Sequence, residues 1–147
     1  MRNYLKRVRT WVIPICLTLF VFLLMKGVFL FGYVPTASME PTLPEGSYIL
    51  GLRIYGELEK GDIIVFQHDG KLLVKRIAAL PGEEIRWDEL SYADSMLRPN
   101  REECCTKVPE GCFLVLGDNA EVSYDSRYWA DPFVSESDVV AKLILPT

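Results

Sequence analysis

The sequence is poor in side chains that bind metal ions. It has one histidine, His68, and four cysteines. The three cysteines in the second half of the chain follow a CC-x6-C spacing that is not a typical metal-ligand pattern (Cys104, Cys105 and Cys112). His68 lies in a predicted turn far from them, where we expect it to be exposed to solvent. We therefore expect no metal and no other cofactor. A bridge from Cys112 to Cys104 or Cys105, which would close a short loop, and free thiols remain the alternatives.

Basic residues are scarce over most of the chain. Five of the 16 Lys and Arg residues lie before Pro35, so the rest of the chain carries 11 of them against all 20 Asp and Glu, a net charge of −9. An acidic surface of this kind repels a phosphate backbone, which excludes a nucleic-acid binder. It should also hold this part of the chain away from anionic lipid headgroups.

Acidic residues are absent before Glu40, and a long apolar run lies within this part. Residues 11–34 carry Lys26 as their only charge, and about 20 apolar residues suffice for a helix to cross a bilayer. Basic residues precede the run, which orients the N-terminus toward the cytoplasm (Arg2, Lys6, Arg7 and Arg9). We therefore predict a cytoplasmic segment 1–10, a transmembrane anchor helix 11–34 and an extracytoplasmic domain 35–147, all at the cell membrane.

A cleaved secretory signal is the alternative interpretation of the same segment, because a basic start, an apolar run and a nearby small residue, Ala37, are its usual parts. The run is too long for the apolar part of such a signal. Cleavage after Ala37 would also put Pro35 at position −3, where a small side chain is required. The pattern therefore favours a permanent anchor.

Helical periodicity, internal repeats and low-complexity tracts are all missing after the apolar run. Short segments rich in β-branched, aromatic and aliphatic residues alternate instead with Gly and Pro turns, and Asp69-Gly70 is typical of a hairpin. Strands are predicted in SYILGLRIY, IIVFQ, LLVKRIAAL, CFLVLGD and SDVVAKLILP. Residues 83–111 are polar and aperiodic, so we expect a loop-rich region there with room for one short hairpin. The predicted fold is a mostly antiparallel β-sheet domain behind a single N-terminal transmembrane helix.

One lysine has a position suited to general-base chemistry. On the predicted strand LLVKRIAAL, alternation places Lys75 on one face with Leu73 and Ile77, while Arg76 points its charge to the other face. A lysine that is desolvated between aliphatic neighbours has a lowered pKa and can accept a proton from a serine. Most lysines are simply exposed, so alternation alone does not assign this role.

Four segments, in this order after an N-terminal anchor, resemble the sequence boxes of type I signal peptidases. They are TASMEPTL, GDIIVF, KRIAALPGE and GDNAEVSYDSR. The similarity covers the anchor and nearly all of the outer domain, and it is interrupted mainly at residues 84–111. Proteins of this family are membrane-bound serine proteases that remove signal peptides from exported proteins.

The resemblance implies a role for individual residues. Ser38 matches the nucleophile of the S-M-x-P box, and Lys75 matches the general base. Thr36 matches a hydroxyl residue that helps to bind the oxyanion, and Ser123 matches the serine that orients the lysine. Three charged residues match those that brace the site by ion pairing (Asp118, Asp125 and Arg127). Shallow apolar pockets would select small substrate side chains, and four residues are candidate lining (Val34, Pro35, Leu73 and Val74).

The last box departs from the family pattern at two positions. It usually reads G-D-N-R-x-N-S, whereas Ala120 and Val122 stand here in place of the Arg and the Asn. These changes affect local loop contacts, because the serine and lysine positions named above are all in place. The short interval before this box implies that the cap subdomain of larger relatives is reduced to a loop.

The resemblance implies an endopeptidase that cleaves exported preproteins after small residues, at sites of the Ala-x-Ala type, through an acyl-enzyme on Ser38. Its partners would be signal-peptide-bearing preproteins and the membrane, not nucleic acid. Two other interpretations remain: a dedicated peptidase for one pilin, conjugation or surface substrate, and a membrane-anchored β domain that binds exported chains without cutting them. A Ser-x-x-Lys site of the penicillin-binding type is excluded, because Pro41 stands at the lysine position.

Overall fold

The computed structural model describes residues 2–87, 89–90 and 105–144, with side chains from residue 11 onward. Within this part, one helix, α1 (Arg2–Val28), is followed by nine strands. They are β1 (Phe29–Tyr33), β2 (Tyr48–Leu52), β3 (Ile63–His68), β4 (Lys71–Ala79), β5 (Glu84–Arg86), β6 (Cys105–Lys107), β7 (Cys112–Leu116), β8 (Phe133–Ser135) and β9 (Val139–Leu143).

Seven of these strands form one sheet, in the order β1-β2-β9-β3-β4-β7-β8, and β5 pairs with β6 in a separate sheet. All of these pairings are antiparallel. The predicted fold class, a mostly antiparallel β domain behind one apolar N-terminal helix, is therefore confirmed. The strands predicted from the sequence are β2, β3, β4, β7 and β9, and the short hairpin within residues 83–111 corresponds to β5 and β6. The middle of that region, residues 88 and 91–104, lies outside the described residues.

Helix α1 ends earlier than the sequence predicts. Its segment Trp11–Val28 is long and apolar enough to cross a membrane, and none of it is buried in the protein. The predicted anchor continues to Val34, but the residues Phe29–Tyr33 form β1 and pair with β2 instead. Leu30 and Val34 are buried in the core of the domain, at 6% and 3% exposure. Hydropathy does not distinguish an apolar strand from the end of an apolar helix, so the predicted boundary at residue 34 moves to residue 28.

The hairpin predicted at Asp69-Gly70 joins β3 to β4. Both residues have positive φ, 48° at Asp69 and 73° at Gly70, as a two-residue type I′ turn requires. The turn fixes the register of the two strands, which places Ile64 opposite Lys75. Strand β4 therefore carries Lys75 into the interior of the sheet, between β3 and β7.

Strand β3 contributes to apolar clusters on both faces of the sheet. Ile63 and Val65 pack in one cluster, and Ile64 and Phe66 pack in another, because successive side chains of a strand point to opposite faces. Ile64 and Phe66 are completely buried, and each such side chain stabilises the fold by about 1.5–3 kcal/mol. The strand beside Lys75 is thus held firmly in the core.

The outer cysteines are free thiols where the structure describes them. Cys105 is exposed and Cys112 is half-buried, and neither forms a disulfide. Burial raises the pKa of the Cys112 thiol, so less of it is in the reactive thiolate form. Cys104, the other predicted bridge partner, lies outside the described residues.

Candidate active site

Ser38 lies in a short 3-10 helix, Ala37–Met39, shortly after β1. The side chain of Met39 is buried in the core at 1% exposure, and its carbonyl accepts a hydrogen bond from the Leu43 N–H at 2.8 Å. The Ser38 carbonyl accepts a hydrogen bond from the Asn119 N–H at 3.1 Å. Apolar packing on one side and a hydrogen bond on the other therefore fix the backbone around Ser38.

Lys75 is buried, at 4% exposure, and its Nζ donates hydrogen bonds to Ser38 Oγ at 2.8 Å and to Ser123 Oγ at 3.0 Å. Burial lowers the pKa of the Lys75 ammonium from 10.5 to about 8, because a desolvated environment disfavours the charged form. The negative charges of Asp125 and Asp118 oppose this shift. An appreciable fraction of Lys75 is therefore neutral near physiological pH, and the neutral amine is the form that accepts a proton.

Ser123 connects the lysine to a buried ion pair. Its hydroxyl donates to Asp125 Oδ2 at 2.6 Å, and Arg127 donates to both carboxylate oxygens of Asp125, from Nε at 2.8 Å and from Nη2 at 2.6 Å. Burial by itself raises the pKa of Asp125, but hydrogen bonds from Arg127, from the Gly117 N–H and from Ser123 hold that pKa below its ordinary value. Asp125 therefore stays ionised, and hydrogen bonds link Arg127 through Asp125 and Ser123 to Lys75.

Asp118 pairs with Arg76. The Arg76 guanidinium donates to both carboxylate oxygens of Asp118, from Nε at 2.8 Å and from Nη2 at 2.6 Å, and to the Gly61 carbonyl at 2.7 Å. Burial raises the pKa of Asp118, but the hydrogen bonds and the charge of Arg76 more than offset this, so the pKa is lowered overall. The pair joins β4 to the loop that follows β7, and it keeps the Arg76 charge away from Lys75 as strand alternation predicts.

Gly117 is a site residue that the sequence analysis did not single out. A Cβ at this position would overlap the Ser123 hydroxyl and the Ser38 carbonyl. The Gly117 N–H also donates to Asp125 Oδ2 at 2.8 Å. Residue 117 therefore has to be glycine for the two serines to lie next to Lys75, a need for close approach that becomes visible only in the fold.

A cavity of about 360 Å³ opens beside Ser38 and Lys75. Thr36 lines it, and the Thr36 hydroxyl donates to Ser38 Oγ at 3.3 Å. All four predicted lining residues lie in its wall (Val34, Pro35, Leu73 and Val74). The structure thus brings the predicted serine, lysine, threonine and lining residues together around one cavity. Two ion pairs lie next to Lys75: Asp125 with Arg127, which contacts Lys75 through Ser123, and Asp118 with Arg76, the next residue on β4.

Aromatic residues that the sequence did not indicate complete the cavity wall. The His68 ring stacks on Trp129, with ring centroids 3.9 Å apart and an interplanar angle of 23°, and both residues line the cavity. The expectation that His68 is exposed is wrong: its side chain is 24% exposed, because β3 continues through residue 68 and brings the ring against Trp129. Tyr124, which is 68% exposed, also borders the cavity. No periodic pattern around Trp129 indicated these contacts.

The fold and the site together define a class of protein. A serine hydroxyl in contact with a buried lysine, which a second serine also contacts, has the parts of a serine hydrolase that uses lysine in place of histidine. Such a site can carry acyl transfer, in which the hydroxyl attacks a carbonyl and the amine moves the proton. Among the described residues, no group of three or more His, Cys, Asp or Glu side chains could hold a metal ion.

The chain belongs to the signal peptidase family. The family described as signal peptidase, peptidase S26, matches residues 5–147, which confirms the family that the four sequence segments indicated. Signal peptidases I are membrane-anchored serine endopeptidases that act on exported preproteins.

Individual relatives differ in length and in activity. A probable signal peptidase I-2 of Synechocystis sp. is 36% identical over 119 aligned positions, which cover 66% of this chain and 54% of the relative. A signal peptidase I of Bacillus licheniformis is 32% identical over 142 positions, which cover 80% of this chain and 76% of the relative. An inactive signal peptidase IA of Staphylococcus aureus is 25% identical over 162 positions, 96% of this chain and 92% of the relative. The chain thus spans about half the length of the first relative, and the family includes a member named as inactive.

Proposed function

We propose that this chain is a membrane-bound serine endopeptidase that removes N-terminal signal peptides from exported preproteins. The observation that carries the proposal is the 2.8 Å contact between Lys75 Nζ and Ser38 Oγ at the edge of an apolar cavity. Family membership supports the substrate class, and the geometry supports the role of each residue.

The reaction begins with transfer of the Ser38 proton to neutral Lys75 as Ser38 Oγ attacks the carbonyl carbon of the scissile bond. The lysine is already within hydrogen-bond distance of the hydroxyl. Ser123 restricts the lysine amine to this direction, because it is held in turn by Asp125 at 2.6 Å. The tetrahedral intermediate carries its negative charge on the former carbonyl oxygen.

The Ser38 amide and the Thr36 hydroxyl would stabilise this oxyanion. The Thr36 hydroxyl already points toward Ser38 Oγ at 3.3 Å, so a short rotation brings it to the oxygen that develops charge. Because the Ser38 backbone is fixed from both sides, its N–H needs no rearrangement to take part. Preorganised donors of this kind are usually worth a factor of 10² or more in rate.

Collapse of the intermediate releases the first product. The Lys75 ammonium donates its proton to the departing amine, and the signal peptide stays bound to Ser38 as an ester. Neutral Lys75 then removes a proton from a water molecule, which attacks the ester carbonyl. The proton returns from Lys75 to Ser38 Oγ, and the second product leaves with both residues in their starting form.

Specificity for small residues at positions −1 and −3, the Ala-x-Ala pattern, would follow from the cavity wall. Val34 is buried and fixed, while Leu73 and Val74 are half-buried on β4. A branched or aromatic substrate side chain would have to displace these strand residues, whereas a methyl group would not.

The experiment that tests the proposal is cleavage of a membrane-inserted preprotein with an Ala-x-Ala site by the full-length protein in phospholipid vesicles. We expect the wild type to cut after the second Ala and Ser38→Ala to be inactive. Lys75→Met should be equally inactive. Ser137→Ala and Lys107→Met, which change an exposed serine and an exposed lysine outside the cavity lining, should cleave like the wild type. Cleavage by Ser38→Ala, or at other positions, would disprove the proposal.

Two alternatives both predict that the general preprotein stays intact, and cleavage of a pilin, conjugation or surface substrate separates them. A dedicated peptidase would cut its own substrate and leave a general Ala-x-Ala preprotein intact. A binding domain without catalysis would cut neither substrate. The Staphylococcus aureus relative is named as an inactive signal peptidase. Retention of both Ser38 and Lys75 in hydrogen-bond contact favours catalysis in this chain.

A further inference from the structure

A second cavity, of about 740 Å³, lies where helix α1 meets the sheet; we call it the helix–sheet groove. The last turns of α1 form one wall, with Phe22, Met25 and Lys26, and residues of strands β1 to β4 form the rest. Leu30 and Ile49 line its inner side, and both belong to the buried core. The groove is therefore an opening in the apolar core that faces the surroundings of the helix.

Two basic residues are the charged members of this groove. Lys26 and Arg53 line it, and the described residues around them contribute no acidic side chain to its wall. Neither forms an ion pair within the part of the chain that the structure describes, and Lys26 Nζ lies 5.6 Å from the centre of the Phe22 ring. Residues 35–147 carry a net charge of −9, so two cations without an acidic partner in an apolar groove are unusual for this chain. They are complementary to an anion that carries apolar chains.

The position of the groove indicates which kind of anion could reach it. Helix α1 ends at Val28, whose carbonyl accepts a hydrogen bond from the Arg53 N–H at 2.8 Å, so Arg53 lies at the end of the apolar helix. Phe31 and Tyr33 on the adjoining strand are 77% and 56% exposed, and tyrosine is one of the residues enriched at the level of lipid headgroups. With α1 across a bilayer, the groove mouth faces the headgroup layer.

We propose that the helix–sheet groove binds one anionic phospholipid molecule. The phosphate lies between Lys26 and Arg53, and an acyl chain follows the apolar wall past Phe22 and Met25. The net negative charge of the domain repels anionic lipids in general, so binding is confined to this groove. The proposal depends on the membrane location of α1 and not on peptidase activity, and it can be tested in the Ser38→Ala variant.

The groove shares a wall with the cavity beside the catalytic serine. Tyr33, Leu72 and Val74 line both cavities, so β1 and the first half of β4 separate the bound lipid from the substrate. A lipid in the groove would support these strands from behind.

The experiment is photocrosslinking of full-length Ser38→Ala protein in phosphatidylcholine vesicles that contain a minority of phosphatidylglycerol with a photoactivatable acyl chain. Mass spectrometry locates the crosslinked peptides. The test variant is the double change Lys26→Gln with Arg53→Gln, and the control is the double change Lys60→Gln with Lys107→Gln, which removes two exposed charges elsewhere. We expect crosslinks at residues 22–33 in the parent and the control, and a yield lower by roughly tenfold or more in the test variant.

Three results would overturn the proposal. The first is equal crosslinking in the test and control variants. The second is equal crosslinking by a photoactivatable phosphatidylcholine, which would show that the groove takes any lipid. The third is displacement of the lipid by a bound preprotein whose own apolar segment then crosslinks to residues 22–33, which would make the groove part of the substrate site.

Discussion

At the scale of single residues, Lys75 is the side chain on which the proposed chemistry depends. Its position on β4 could be predicted from strand alternation, but its burial could not, because a lysine between aliphatic neighbours is exposed whenever that face of the strand is exposed. The 3.0 Å contact with Ser123 and the buried pair of Asp125 with Arg127 come from a loop some fifty positions away. Burial is what lowers the pKa of Lys75 to about 8, against the charge of Asp125, which raises it.

The pH dependence of cleavage should follow this pKa. Only neutral Lys75 can accept the Ser38 proton, so kcat/KM should fall about tenfold for each pH unit below about 8 and should be constant above it. The measurement is initial rates of preprotein cleavage across this range, with circular dichroism to confirm that the protein stays folded. A flat profile through neutral pH would contradict a lysine base.

The same pKa predicts a cost in stability. The pKa of Lys75 is lower in the folded protein than the ordinary value of 10.5, so the unfolded chain holds more protons and the free energy of unfolding rises with pH between about 8 and 10.5. Below about pH 8 the full cost, about 3 kcal/mol, is present. Lys75→Met should therefore abolish cleavage and yet raise the Tm of the full-length protein in detergent at neutral pH.

The matched control for this stability prediction is Lys107→Met. Lys107 is exposed on β6, so its replacement should leave both the Tm and the cleavage rate unchanged. The Tm difference between Lys75→Met and the wild type should also shrink above pH 10.5, where the lysine is neutral in both states. A Tm of Lys75→Met at or below that of the wild type would show that the fold bears no electrostatic cost at this position.

At the scale of elements, the loop from Gly117 to Trp129 positions the site. It supplies Ser123 and the buried Asp125, its Asn119 N–H holds the Ser38 carbonyl, and Gly117 allows the close approach of all these groups. The loop has no regular secondary structure that would explain its order. Its backbone is ordered instead by hydrogen bonds to the buried Asp125 carboxylate.

Gly117→Ala should separate this loop from the nucleophile. The added Cβ would overlap backbone and side-chain atoms at Ser38 and Ser123, so we expect a loss of about 1–3 kcal/mol of stability and at least a tenfold drop in kcat. Gly56→Ala is the matched control, because a Cβ at Gly56 has no atom within 4 Å. Thermal unfolding and preprotein cleavage measure the two effects. Normal activity in Gly117→Ala would mean that the loop tolerates displacement.

Strands joined by short turns were predicted from sequence more reliably than the end of the helix or contacts between distant residues. β3 and β4 follow from apolar runs on either side of Asp69-Gly70, a local signal that needs no knowledge of the fold. β1 could not be separated from the anchor in the sequence, because its residues are apolar for a different reason: Leu30 packs in the core of the domain. The contact of His68 with Trp129 joins positions far apart in sequence, so only the sheet brings it about.

At the scale of the whole molecule, the apolar helix and the acidic domain predict a fixed orientation. Basic residues ahead of the apolar run predict that the N-terminus lies in the cytoplasm and the domain outside. A single-cysteine variant that retains the exposed Cys105 should react with a membrane-impermeant maleimide in intact spheroplasts. A variant that retains only Cys16, within α1, should not react. Labelling of Cys105 only after lysis would reverse the predicted topology.

With α1 across a bilayer, the direct passage from α1 into β1 would couple the domain to the physical state of the lipid. Val28 ends the helix, Phe29 begins the strand and the Arg53 N–H binds the Val28 carbonyl, so no hinge separates the two elements. A helix that is too long for a thin bilayer tilts, and here the sheet has to tilt with it. The height of Ser38 above the lipid surface, and hence the length of substrate that could reach it, would then depend on bilayer thickness. The same chain should prefer different cleavage sites in membranes of different lipid composition.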